Sequence, residues 1–214
     1  MQIKPADYVE YIEQISKVIN TQGEYITALD AATGDGDHWL NINIGYQGLV
    51  EKAEQLKAES SFQALLKSLA KMIMTKMGGT SGALYGSMYL AAAREVATAD
   101  CMDAELLGRV LSAWAKAIMD RGNAAPGQKT MVDALVPAAQ AYENAMQRGA
   151  DEQTVLQEMA KAARAGAEST KQMEASRGRA SNQPGRGIGH LDPGAVTMAI
   201  QLEQLADYVG KHCI

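Results

Sequence analysis

The chain has 214 residues, 47% hydrophobic and 21% charged, too apolar for a disordered polypeptide and long enough to bury a core unaided. Lysine and arginine number 20 against 25 aspartates and glutamates, and the formal charge of −5 excludes the basic footprint of a general nucleic-acid binder. Cys101 and Cys213 form no CxxC or zinc-spaced cluster, the first residues lack a signal-peptide core, and no run approaches 18 apolar residues, so a cytoplasmic protein without a membrane span is expected.

Only 5% of residues are aromatic, with one Phe, while 12 Met and many Ala fill the apolar positions. That composition suits helices packed through small residues and suits a β-sandwich poorly. The apolar spacing is helical along the chain. Tyr8, Ile12, Ile15 and Ile19 recur at steps of four, three and four. The segment Asp30-Ala31-Ala32-Thr33-Gly34-Asp35-Gly36-Asp37-His38 follows, with three carboxylates in eight residues. Asp35 and Asp37 share a face if extended, the glycines permit a sharp turn, and Asp30 can turn back toward the pair. Hard oxygen ligands with room for water and phosphate suit Mg²⁺; an EF-hand fails, because position five would be Trp39 and no glycine stands at six. The same residues would also serve as a helix cap (Asp37) and a turn (Asp35).

Phe62, Leu65, Leu66, Leu69, Met72 and Ile73 form the next stripe. Gly78-Gly79-Thr80-Ser81-Gly82 then precedes Leu84, Met88 and Ala92, so a glycine-rich segment feeds a helix N-terminus, a ready anion site. An ordinary turn capped by Thr80 or Ser81 gives the same pattern. After the stripe from Leu106 through Trp114 to Ile118 comes Gly122-Asn123-Ala124-Ala125-Pro126-Gly127-Gln128-Lys129-Thr130. It nearly imitates a P-loop, but Gln128 separates the second glycine from Lys129, and a helix precedes it where a P-loop follows a strand. An anion held near Lys129 and Thr130, or a solvated loop capped by Thr130, fits it.

Stripes through Met131, Leu135, Ala138 and Tyr142, and through Val155, Met159 and Ala162, lead to the longest irregular stretch, residues 177–194. It carries three arginines, whose forks suit phosphate, and ends in Asp192-Pro193-Gly194, which predicts a capped final helix through Val196, Ile200, Leu205 and Val209. Seven to nine helices, no sheet and one domain over residues 1–214 are expected. A metal loop, an anion loop and an arginine loop together point to magnesium–nucleotide binding; His38 and His190 are read as structural hydrogen-bonding groups before catalysts.

Four motifs in one order carry a resemblance that covers essentially the whole chain. They are Gly34-Asp35-Gly36-Asp37-His38 with Asn41; Gly78-Gly79-Thr80-Ser81-Gly82 with Leu84-Tyr85-Gly86; Arg121-Gly122 through Pro126-Gly127-Gln128-Lys129-Thr130-Met131-Val132-Asp133; and Gly178-Arg179-Ala180-Ser181 with Gly189-His190-Leu191-Asp192-Pro193-Gly194. The chain resembles the ADP-binding L subunits of bacterial dihydroxyacetone kinases of the phosphoenolpyruvate-dependent, phosphotransferase-system type. That resemblance implies an all-α barrel of about eight antiparallel amphipathic helices with the nucleotide in the loops at one end. Asp30, Asp35 and Asp37 would hold two Mg²⁺. His38, Trp39, Leu40 and Asn41 would lie against ADP or ATP, with Thr80 and Ser81 on phosphate. Gly122, Thr130 and Met131 would border the pocket, and Arg179, Asp192, Pro193 and Gly194 would close it.

The implied activity is that of a kinase subunit without a nucleophile of its own. Bound ADP–Mg would accept a phosphoryl group from a phosphohistidine M subunit and pass it to dihydroxyacetone on a K subunit. A homodimer is expected, and some members also bind a transcription regulator. Two departures stand out: Asn182-Gln183-Pro184-Gly185-Arg186-Gly187 replaces the family's Tyr-Leu-Gly-Glu-Arg-Ser, and Thr80 stands where alanine is usual. Rival readings are a nucleotide subunit for another small ketose or triose, the nucleotide domain of a fatty-acid kinase, a regulatory ADP-sensing module, and a helical interaction protein that binds no nucleotide.

Overall fold

A computed structural model of the chain describes every residue except Gln183, Pro184 and Arg186, and only the backbone of Asn182. Among the described residues there are ten α-helices, two 3₁₀ turns and no strand; the one β-bridge joins Ile3 to Met102. The helices are α1 (Pro5–Thr21), α2 (Gly23–Thr33), α3 (His38–Val50), α4 (Ala53–Lys57), α5 (Phe62–Lys76), α6 (Gly79–Val96), α7 (Ala104–Gly122), α8 (Val132–Gln147), α9 (Glu152–Ser169) and α10 (Pro193–His212). The helical class agrees with the expectation. The number exceeds it because α2 and α4 are short, with only Ile26, Asp30 and Thr33 buried on the one and Ala53 and Leu56 on the other. Neither makes a stripe that stands out in sequence.

The packing order closes on itself. α1 packs on α3, α3 on α5, α5 on α6, and each helix on its successor through α10, which returns to α1. The amphipathic faces predict this placement: α5 buries Phe62, Leu65, Leu66, Leu69, Ala70 and Ile73, all at helical spacing. Each such leucine or isoleucine contributes about 1.5–3 kcal/mol when fully buried. α10 is buried on nearly every side, with 13 of its 20 residues in the interior.

Helix starts differ by position. Ser61, Asp103, Asp151 and Asp192 accept from the backbone N–H three residues on in α5, α7, α9 and α10, at 2.7–3.1 Å. Such caps are each worth about 1 kcal/mol. α3, α6 and α8 begin without a hydrogen bond from the N-cap side chain. All three open onto the same cavity.

α8 contains Pro137, which has no N–H for the carbonyl of Asp133 four residues back. α9 passes that carbonyl at Gly166, where an added Cβ would lie 2.1 Å from the Asp133 oxygen. The glycine allows the backbones of α8 and α9 to meet there.

Candidate functional site

Three carboxylates meet where α2 hands over to α3. Asp30 lies in the last turn of α2, and Asp35 and Asp37 lie on the turn before α3; each offers an oxygen within 4.8 Å of the others. The glycines make this turn possible. Gly34 leaves room for Asp30 Oδ1, which a Cβ there would approach to 2.5 Å, and Gly36 adopts φ +78°. Asp30 Oδ2 accepts from the His38 N–H at 3.0 Å, so Asp30 satisfies a free amide of α3, and Asp37 makes no cap hydrogen bond. Asp30 is buried, while the side chains of Asp35 and Asp37 are about 40% exposed. Three carboxylates this close require positive charge. Arg179 supplies some: its Nη1 lies 2.7 Å from Asp35 Oδ2 and its Nη2 3.6 Å from Asp37 Oδ2. The set is all hard oxygen, one face open, which fits a hydrated divalent cation such as Mg²⁺.

These residues line one wall of a cavity of about 320 Å³. The first turns of α3, α6 and α10 reach it at His38 and Asn41, at Thr80 and Ser81, and at Pro193 and Gly194. Helix N-termini present free N–H groups and the positive end of the dipole, so the cavity attracts anions. Neither Thr80 nor Ser81 caps α6, whose N-cap is Gly78; a Cβ on Gly78 would strike Asn41 Oδ1, so glycine is needed there. Leu84, Ile118, Met131 and Val132 provide the apolar side.

The loop after α7 is held from within. Asp133 accepts from the N–H groups of Gly127 and Thr130, and Thr130 Oγ1 accepts from Val132 N–H at 3.2 Å. Lys129, buried and at φ +60°, donates to the carbonyls of Thr170 and His190, tying this loop to the arginine loop. Burial lowers its pKa, against the pull of Asp192, Glu174 and Asp133. Gln128, which spoils the P-loop pattern, bridges the same loops: its Oε1 accepts from Ala125 N–H at 3.0 Å and Arg177 Nε at 3.3 Å. Burial lowers the His38 pKa below 6.5, opposed by Asp30 and Asp37. It raises Asp192 to about 7, opposed by the Ala195 N–H and Lys129.

Of the expected site residues, Asp30, Asp35, Asp37, His38, Asn41, Thr80, Ser81, Gly122, Thr130, Met131, Arg179, Asp192, Pro193 and Gly194 all line this cavity. Trp39 and Leu40 do not. The Trp39 indole N–H is spent on the Ile19 carbonyl at 3.0 Å and its ring packs over Gly23, while Leu40 is 50% exposed on the outer face of α3. Helical periodicity turns these two away from the side that carries His38 and Asn41. Leu84, Ile118 and Arg177 also line the cavity, and Asp133 braces its loop, although none of them was among the expected site residues; Leu84 and Ile118 read as parts of helical stripes, and nothing in sequence separates a cavity wall from a core. Of the altered stretch 182–187, Gln183, Pro184 and Arg186 lie outside the described residues.

The family model of the DAK2 domain matches residues 32–207. This chain is a DAK2-domain protein. It is 32% identical over 206 residues to the ADP-binding subunit DhaL of the PEP-dependent dihydroxyacetone kinase of Escherichia coli (strain K12), spanning 96% of this chain and 98% of that one. It is 33% identical over 202 residues to the ADP-binding subunit DhaL of the PTS-dependent dihydroxyacetone kinase of Lactococcus lactis, spanning 94% and 96%. To triokinase/FMN cyclase of Homo sapiens it is 35% identical over 196 residues, covering only 34% of that longer protein. The dihydroxyacetone kinase of C. freundii in complex with AMP-PNP and Mg²⁺ superimposes with a TM-score of 0.69 at 23% identity, over 93% of this chain and 33% of that one. At that identity the likeness shows the fold alone: the DAK2-domain protein shares the fold of the matched third of that kinase. No described helix is long and apolar enough to cross a membrane.

Proposed function

We propose that this DAK2-domain protein is the nucleotide-binding subunit of a phosphoenolpyruvate-dependent dihydroxyacetone kinase. The observation that carries the reading is the convergence of four sequence-distant loops on one cavity that holds a carboxylate trio on one wall and helix N-termini around it. Asp30, Asp35 and Asp37 hold Mg²⁺, two ions in the family pattern. Thr80, Ser81 and the first turn of α6 bind phosphate, and Leu84, Ile118, Met131 and Val132 accept the base. Gly122 and Thr130 border the nucleotide, and Arg179 with Asp192, Pro193 and Gly194 closes over it. The packing order of eight helices supports a barrel and one domain over residues 1–214.

When bound, the magnesium nucleotide would supply the phosphoryl acceptor as ADP and the donor as ATP, between a phosphohistidine M partner and dihydroxyacetone on a K partner. The chain's own residues orient the phosphates and balance their charge, which is most of what phosphoryl transfer asks of a protein. A cytoplasmic location, a homodimer and contact with a transcription regulator belong to the same reading.

Native mass spectrometry of the purified protein, with and without a chelator, tests it. The expected spectrum carries a mass increment for ADP and Mg²⁺ that chelation removes. A bare 22.8 kDa chain that ignores added ADP and Mg²⁺ overturns the reading.

A further inference from the structure

Behind the carboxylates, buried polar groups continue from His38 into the core. Thr197 on α10 is fully buried, and its Oγ1 lies 3.0 Å from His38 Nε2. The same hydroxyl lies 3.0 Å from the Pro193 carbonyl and 3.1 Å from that of Gly194. One turn on, Gln201 directs Nε2 to the Thr197 carbonyl at 3.0 Å and to the Tyr85 hydroxyl, while its Oε1 accepts from the Tyr46 hydroxyl.

The proton positions in this set follow from which groups can only accept. The Thr197 carbonyl is one, so the Gln201 amide must turn its NH₂ toward it, and toward Tyr85. Tyr85 therefore accepts from Gln201. The carbonyls of Pro193 and Gly194 also only accept, so the Thr197 hydroxyl proton goes to them. Two lone pairs remain on Oγ1. One of them accepts from His38 Nε2 as an N–H donor.

We infer that Thr197, its hydroxyl proton held by the carbonyls of Pro193 and Gly194, holds His38 in the tautomer protonated on Nε2, leaving Nδ1 to the cavity as an acceptor for an O–H group of the bound ligand. His38 lines the cavity, and among the described residues Nδ1 has no hydrogen-bond partner. Thr197 is not among the described lining residues; it is a positioning residue that acts through His38. The inference deepens the nucleotide reading and rests on it for the ligand. The O–H group is a ribose hydroxyl or a water on the metal ion.

The tautomer is read first, on nucleotide-free protein labelled with ¹⁵N-histidine. The expected His38 spectrum has a pyrrole-like Nε2 and a pyridine-like Nδ1; the reverse pattern overturns the inference. Thr197→Val removes the hydroxyl at nearly constant shape. It is expected to shift the His38 nitrogens and to weaken ADP–Mg binding roughly three- to tenfold, the loss of one neutral hydrogen bond. Thr197→Ser is expected to restore both. A folded valine variant with wild-type shifts and affinity overturns the positioning role. Should that variant fail to fold, the wild-type spectrum and a serine variant with altered shifts or affinity still decide against it. A wild-type protein with the expected tautomer but no affinity for ADP–Mg sinks the nucleotide reading and leaves the tautomer standing. With 2′,3′-dideoxy-ADP, a valine penalty that vanishes assigns the donor to ribose, and one that persists assigns it to ion-bound water.

Discussion

Asp30 is asked to do two things at once. Its carboxylate meets Asp35 and Asp37, and one oxygen also satisfies the first N–H of α3. Asp35 has no second task beyond its contact with Arg179, so it separates binding from folding. Asp35→Asn is expected to weaken ADP–Mg binding by at least about a hundredfold, by calorimetric titration, with the helical circular-dichroism signal unchanged. Normal affinity in that variant would remove Asp35 from the metal site. Asp192 gives a pH dependence. Burial raises its carboxyl from the ordinary 3.8 to about 7, so between these values the folded state binds more protons than the unfolded chain. This contribution to stability is therefore present at low pH and lost as pH rises toward 7. Urea unfolding of nucleotide-free protein at pH 5 and pH 7 checks the sign. The wild type is expected to lose on the order of 1–2 kcal/mol relative to Asp192→Asn across that interval.

At the scale of helices, the close meeting of α8 and α9 reaches the cavity. Asp133 offers its carbonyl to the gap at Gly166 and its carboxylate to Gly127 and Thr130. A methyl at position 166 has no space, so Gly166→Ala must push α9 away or tilt the first turn of α8. It is expected to cost roughly 1–3 kcal/mol, read as a lower thermal midpoint, and to weaken nucleotide binding from outside the pocket. The helices themselves were legible wherever one face is apolar, as in α5, α7 and α9. α2 escaped because its buried face carries polar Asp30 and Thr33 toward the cavity, so no apolar stripe marks it. Trp39 and Leu40 show the converse: the resemblance set them against the nucleotide with His38 and Asn41, and the 100° step of a helix turns them out of the cavity.

For the molecule as a whole, the site was legible as four separate signals, because glycine, aspartate and arginine clusters stand out against an alanine- and methionine-rich background. Their meeting in one site came with the resemblance, since from the residues alone it depends on the order in which helices pack. Lys129 and Gln128 illustrate the gap. In sequence they read as a failed P-loop, while in space they stitch two loops together from below. That order of packing also bears on how the protein is made. Tyr11 pairs with the Gln201 carbonyl and Gln14 with Gln204, each across 190 residues of chain, and α10 supplies the last wall of the cavity. A nascent chain that has emerged only through α9 carries both the carboxylates and the phosphate loop but has nothing to close them with. Long-range contacts of this kind form late and slowly. On the ribosome, ligand capture must therefore wait for α10, and nucleotide becomes a reward reserved for finished molecules.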